Sequence, residues 1–91
     1  MNGDNDGSRP TQAPADAQRS GEFWTLVPRE AGDVAVVNAT GYRIFQMCDG
    51  TCSEADIAQD IAAAAGVAVE RVRPDVARFV TRLETAGLLN R

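Results

Sequence analysis

The sequence predicts a small α+β domain, with two to three short antiparallel strands followed by three helices. Two observations carry this. Between residues 22 and 38, apolar and polar residues alternate with the period of a half-buried strand and are interrupted by turn residues. From residue 39 onward, apolar residues recur every three or four positions in segments separated by Asp49-Gly50 and by Gly66.

Taken in order, residues 1–21 read MNGDNDGSRPTQAPADAQRSG. They are rich in Gly, Asn, Asp, Pro, Ser and Gln and offer little to bury, so the favoured reading is a flexible tail. An extra strand near residues 16–20 is the lesser alternative. Residues 22–91 are then the folded domain. In EFWTLVP, Phe23, Thr25 and Val27 point one way and Trp24 and Leu26 the other. Pro28 and Gly32 punctuate the turn that follows. DVAVVN supplies a second strand over residues 34–37, paired with the first as a hairpin.

The first helix is expected over residues 39–48, capped by Asn38 or Thr40 and ended at Asp49-Gly50. Ser53 opens the second helix and, with Asp56 three residues on, makes a capping-box pair. Ile57, Ala58, Ile61, Ala62 and Ala65 form its apolar stripe, and Gly66 stops it. The third helix is the longest, with Val69, Val72, Val76, Phe79, Val80 and Leu83 on its buried side and Gly87 at its end. Pro74 either bends it or marks the start of its main part.

Composition narrows the function. The chain has 91 residues and no His, which removes the commonest general base and metal ligand. Its net charge of −4 argues against a phosphate backbone as the main partner. No apolar run approaches the roughly 18 residues of a membrane span, and no signal pattern opens the chain, so it reads as cytoplasmic and without a membrane partner. Cys48 and Cys52 are too few for a zinc site, and their C-x3-C spacing is not the usual redox pair. Their ordinary reading is a small buried side chain and a loop thiol. Glu54, Asp56 and Asp60 read as a solvated, helix-start cluster. Nothing points to a catalytic residue, a metal or a cofactor.

Two features do suggest binding. Arg71, Arg78 and Arg82 share one side of the third helix and suit an acidic peptide or, as the alternative, nucleic acid. The strand of Val34, Ala35, Val36 and Val37 carries no charge, Pro or Lys to guard an open edge. Such an edge beside a long helix is what strand addition by a peptide requires; the alternative is an edge covered by the N-terminal tail or by a second copy of the chain.

The ordered set Val37-Asn38, Thr40-Gly41, Ile44, Cys48-Asp49-Gly50-Thr51, Glu54, Ile57, Val72, Asp75-Val76, Phe79, Leu83 and Gly87-Leu88-Leu89 resembles the PqqD family of RiPP recognition elements. RPTQAP (residues 9–14) is similar to the start of members involved in making pyrroloquinoline quinone. The chain departs from the family pattern in its first strand, which has almost no apolar residues and leaves the sheet at two strands or a ragged third, at Pro74 and at Cys52. The resemblance implies a winged-helix-like domain that is not an enzyme and binds the leader of a ribosomally made precursor peptide. It further implies that the peptide adds beside the last strand and is presented to a modifying enzyme, often a radical SAM protein. Carried over, the peptide-binding residues are Val34, Ala35, Val36, Val37, Arg71, Asp75, Arg78, Phe79 and Arg82, with arginines steering acidic residues of the peptide. A DNA-binding winged-helix regulator is the alternative function, and a docking domain that joins two enzymes a further one. The oligomeric state, monomer or dimer, stays open.

Overall fold

A computed structural model of the chain describes residues 9–90. Its elements run β1 (Thr11–Gln12), β2 (Ala15–Ser20), β3 (Phe23–Pro28), β4 (Ala35–Asn38), α1 (Ala39–Met47), α2 (Glu54–Ala65), α3 (Val69–Thr85) and β5 (Leu89–Asn90). β2, β3 and β4 form an antiparallel sheet in that order, and β1 pairs with β5 in a second, two-stranded sheet. Antiparallel strands followed by three helices make this the α+β domain expected.

The alternation in β3 and β4 sets which face is buried. Leu26, Ala35 and Val37 point into the core, whereas Phe23, Val27, Val34 and Val36 are exposed on the outer face. Trp24 also points inward, where its ring stacks on Tyr42 at 3.8 Å between centroids. Ile44 and Phe45 of α1, Ile57 of α2, and Val80 and Leu83 of α3 complete the core.

The tail expected over residues 1–21 is ordered in its described part, residues 9–20; residues 1–8 lie outside the described residues. The strand near residues 16–20, the lesser alternative, is the one that forms, as part of β2. Its side chains are mostly exposed, so apolar burial does not hold it. Main-chain pairing does: six residues of β2 are in register with β3. Farther upstream, Pro10 is fully buried and its carbonyl accepts from Gly50 N–H at 3.1 Å. Ala13 N–H donates to Leu88 O at 2.9 Å, and Gln12 Nε2 donates to Phe45 O at 2.9 Å. These bonds tie the segment across the end of α1 and the chain after α3. Removing residues 1–21 is therefore expected to destabilise the domain by about 2 kcal/mol or more, at roughly 1 kcal/mol for each bond lost. A urea titration checks this, and an unchanged midpoint would mean that the segment only rests on the surface.

The helix ends follow their sequence signals. Asn38, rather than Thr40, caps α1: its Oδ1 accepts from Gly41 N–H at 2.8 Å. Ser53 and Asp56 form the reciprocal capping box at the start of α2, with bonds of 3.0 and 3.1 Å. Gly66 ends α2 at φ 72°, in the left-handed region. In the turn between α1 and α2, Asp49 Oδ1 accepts from the Thr51 N–H at 3.0 Å and the Thr51 hydroxyl at 2.6 Å. Those bonds favour the charged form and hold the Asp49 carboxyl below its ordinary value. Cys48 is buried, with its thiol 3.2 Å from Ile44 O, and Cys52 is half-buried; neither is in a disulfide.

α3 continues through Pro74 without a break. The missing N–H leaves the Glu70 carbonyl without its helical partner. Pro74 and Glu70 are both exposed, so water can reach that carbonyl, which is why the helix does not need a second start here.

The candidate binding groove between β4 and α3

The site is built from an edge and a helix. The hairpin joining β2 to β3 has a two-residue turn, Gly21 and Glu22, with Gly21 at φ 62°. Such hairpins close on a pair that exchanges both main-chain bonds, here Ser20 and Phe23. Along β3 the bonding direction then alternates, so Phe23 and Thr25 face β2 while Trp24 and Leu26 face β4. Their β4 partners are Val37 and Ala35. It follows that Ala35 and Val37 spend their main-chain groups on β3. The N–H and C=O of Val36, opposite Thr25, point away from the sheet. β4 is the last strand in the sheet order, so among the described residues nothing pairs with that edge.

Both ends of the edge are bounded. Before β4, Asp33 N–H donates to Ala86 O at 2.9 Å, stitching the strand to the end of α3. After it, the chain enters α1 at Ala39. Two close approaches support the stitch: a Cβ on Gly32 would lie 2.3 Å from Ala86 O, and one on Gly87 2.7 Å from Ala31 O. Only glycines let these two turns meet.

Below the edge, β4 and α3 enclose a groove of about 510 Å³. α3 contributes Val72, Asp75, Val76, Phe79 and Arg82, which follow one another along a single face at three- and four-residue spacing. The floor is apolar, formed by Val37, Ile44 and Ile61, with Gly41 beneath Phe79. A Cβ on Gly41 would sit 2.8 Å from Phe79 Cζ and 2.9 Å from Val37 Cβ. The bare Gly41 backbone is what allows the Phe79 ring to lie against β4. Gly41→Ala should therefore displace Phe79, cost about 1–3 kcal/mol by overpacking, and weaken any ligand of the groove. Thermal unfolding reads the cost, and an unchanged midpoint would show that the ring moves freely.

The residues singled out from the sequence divide as follows. Val36 carries the open main-chain groups, and its side chain is 54% exposed on the outer face, next to that of Val34 at 58%. Ala35 and Val37 point inward and anchor the strand to the core. Val36, Val37, Asp75, Phe79 and Arg82 line the groove, and Arg78 borders a shallow extension of it with the last three. Arg71 is exposed and lines neither. Arg78 is ion-paired with Asp75 one turn before it. Arg82 has no ion-pair partner among the described residues.

Several lining residues were not singled out for the site: Phe23, Asn38, Thr40, Gly41, Ile44, Ile61, Val72 and Val76. Val72 and Val76 were legible as part of the α3 apolar stripe, but that stripe does not tell core from groove. Among the described residues no group of three or more His, Cys, Asp or Glu is placed to hold a metal ion, and no helix is long and apolar enough to cross a membrane. The groove offers hydrogen-bonding backbone, apolar surface and one unpaired cation. Such a surface can accept an extended chain by main-chain pairing and apolar burial.

The family model described as Coenzyme PQQ synthesis protein D (PqqD) matches residues 23–89. That family belongs to the biosynthesis of PQQ and of other ribosomally made, modified peptides, and its members are non-catalytic accessories of peptide modification. No curated protein and no solved structure matched the chain. The match runs from the start of β3 to the first residue of β5 and so includes the whole of the groove, but leaves out β1 and β2.

Proposed function

The chain belongs to the PqqD family, and from that membership and the geometry of its groove we propose that it is a peptide chaperone. It binds the leader of a ribosomally made precursor peptide by strand addition and presents the peptide to a modifying enzyme, a radical SAM maturase. It acts in the cytoplasm, where the precursor is made, and the family name points to pyrroloquinoline quinone as the end product.

The observation that carries this reading is the open edge of β4 standing over an apolar groove. An added strand satisfies the main-chain groups of Val36, and its side chains on one face reach the floor of Val37, Phe79 and the α3 valines. Because the edge is bounded by the Asp33–Ala86 bond and by the start of α1, the ladder is short. A few main-chain bonds at about 1 kcal/mol each do not overcome the entropy of association. Burial of apolar side chains in the groove supplies the remainder, at about 2 kcal/mol for each one fully covered.

The test is a calorimetric titration of the full chain with synthetic leader segments of ribosomally made precursor peptides. A one-to-one complex of micromolar affinity or better is expected. A folded protein that ignores the peptide but binds duplex DNA with steep salt dependence would replace this reading with the DNA-binding one.

A further inference from the structure

The groove presents two different surroundings to a bound strand. The residue that pairs with Val36 has its side chain on the outer face, beside that of Val36. Its two neighbours lie opposite Ala35 and Val37, and both of their side chains point inward. They are two residues apart, a separation of about 7 Å along a strand. The inward position beside Val37 looks onto apolar surface: Gly41, Ile44, Val72, Val76 and Phe79. The position beside Ala35 looks into a second hollow, of about 340 Å³, lined by Asp33, Val34, Ala35, Arg82, Thr85 and Ala86.

Arg82 borders both spaces. Its charge is unspent, because the groove's other arginine, Arg78, is paired with Asp75. Asp33 shares the second hollow but makes no ion pair with Arg82 among the described residues, and its N–H is committed to Ala86 O. A carboxylate arriving beside Ala35 therefore meets a guanidinium with its donors available and the Thr85 side chain near it.

Resting on the strand-addition reading, we infer that this groove selects a peptide carrying one apolar side chain and, two residues away on the same face, an Asp or Glu taken by Arg82. The pattern holds for either direction of the added strand, since it is defined by spacing alone.

Display of a library of random dodecapeptides against the full chain tests the pattern. Retained peptides should be enriched in Leu, Ile, Val or Phe paired at a spacing of two with Asp or Glu. Arg82 is exposed, so Arg82→Glu should fold, keep the apolar preference and exchange the acidic one for Arg or Lys. In one selected peptide, replacing the acid by Lys should weaken binding to the unaltered protein about tenfold or more. Arg82→Glu should restore that loss. Retained peptides without an acidic bias at that spacing, or with a bias that Arg82→Glu leaves unchanged, would overturn the inference while strand addition stands. A library from which nothing is retained would remove both.

Discussion

Val36→Pro is expected to abolish peptide binding, weakening it by at least about 100-fold (roughly 2.7 kcal/mol), while the domain stays folded. The expectation rests on the direction of single main-chain groups. Ala35 and Val37 pair with Leu26 and Trp24, and the register of the two-residue hairpin gives those partners the bonds between β3 and β4. Val36 donates to nothing within the sheet, so losing its N–H costs the fold little, and proline is tolerated on an edge strand in that setting. For an incoming strand the same N–H is the central donor of a short ladder, and the proline ring stands where the peptide must approach. The neighbouring substitution is the control. Val37→Pro removes a bond to β3 and a buried side chain, so it should unfold the sheet rather than act on binding alone. Circular dichroism with calorimetry separates the two. A folded Val36→Pro protein with undiminished affinity would exclude strand addition at β4.

Gly32→Val is expected to produce the largest loss of stability outside the core, about 3 kcal/mol or more. The added Cβ would lie 2.3 Å from the Ala86 carbonyl oxygen and 2.9 Å from Pro28 Cγ. The first of these contacts is backbone held by the end of α3, so it cannot rotate away. Relief requires the turn before β4 to separate from the turn after α3, which breaks the Asp33–Ala86 bond and widens the groove. Peptide affinity should therefore fall together with the unfolding midpoint. Gly21→Ala provides the comparison: at φ 62° it is strained, but nothing lies within 4 Å of the added Cβ. Its cost should stay near 1–2 kcal/mol, with binding intact. Equal effects of the two substitutions would mean that the contact between the turns carries no weight.

How much of this was legible beforehand depends on where each signal resides. The inward set of Trp24, Leu26, Ala35 and Val37 is a period-two pattern and can be read directly. So can the Ser53–Asp56 box and the Gly66 stop, because cap chemistry is local. β2 could not be read with the same ease. Its ADAQRS sequence has almost nothing to bury, and it is ordered by the hairpin ladder and by bonds from Pro10, Gln12 and Ala13 to residues far along the chain. The short β1 and β5 strands depend on the same long-range pairing. Pro74 reads as either a bend in the helix or a new start; its surroundings are open to water, and the helix runs through it without a second start.

The candidate groove was half visible. The α3 face from Asp75 to Arg82 follows from helical spacing, as does the unguarded character of β4. Arg71, on the same side by spacing, lies beyond the groove because the lining begins at Val72. The contributions of Gly41 and Ile61 come from packing between elements, which no window of sequence contains. The pairing of Arg78 with Asp75 is a local three-residue contact that the sequence permits but does not require; it leaves Arg82 as the groove's available cation.

The measurement that bears most directly on strand addition is amide hydrogen exchange, read residue by residue by NMR, with and without a saturating peptide. The Val36 amide faces the open edge and should exchange fast in the free protein and slow sharply in the complex. The Val37 amide, bonded to β3 in both states, should change little. Binding that leaves the Val36 amide unprotected, with protection elsewhere on the surface, would contradict the account.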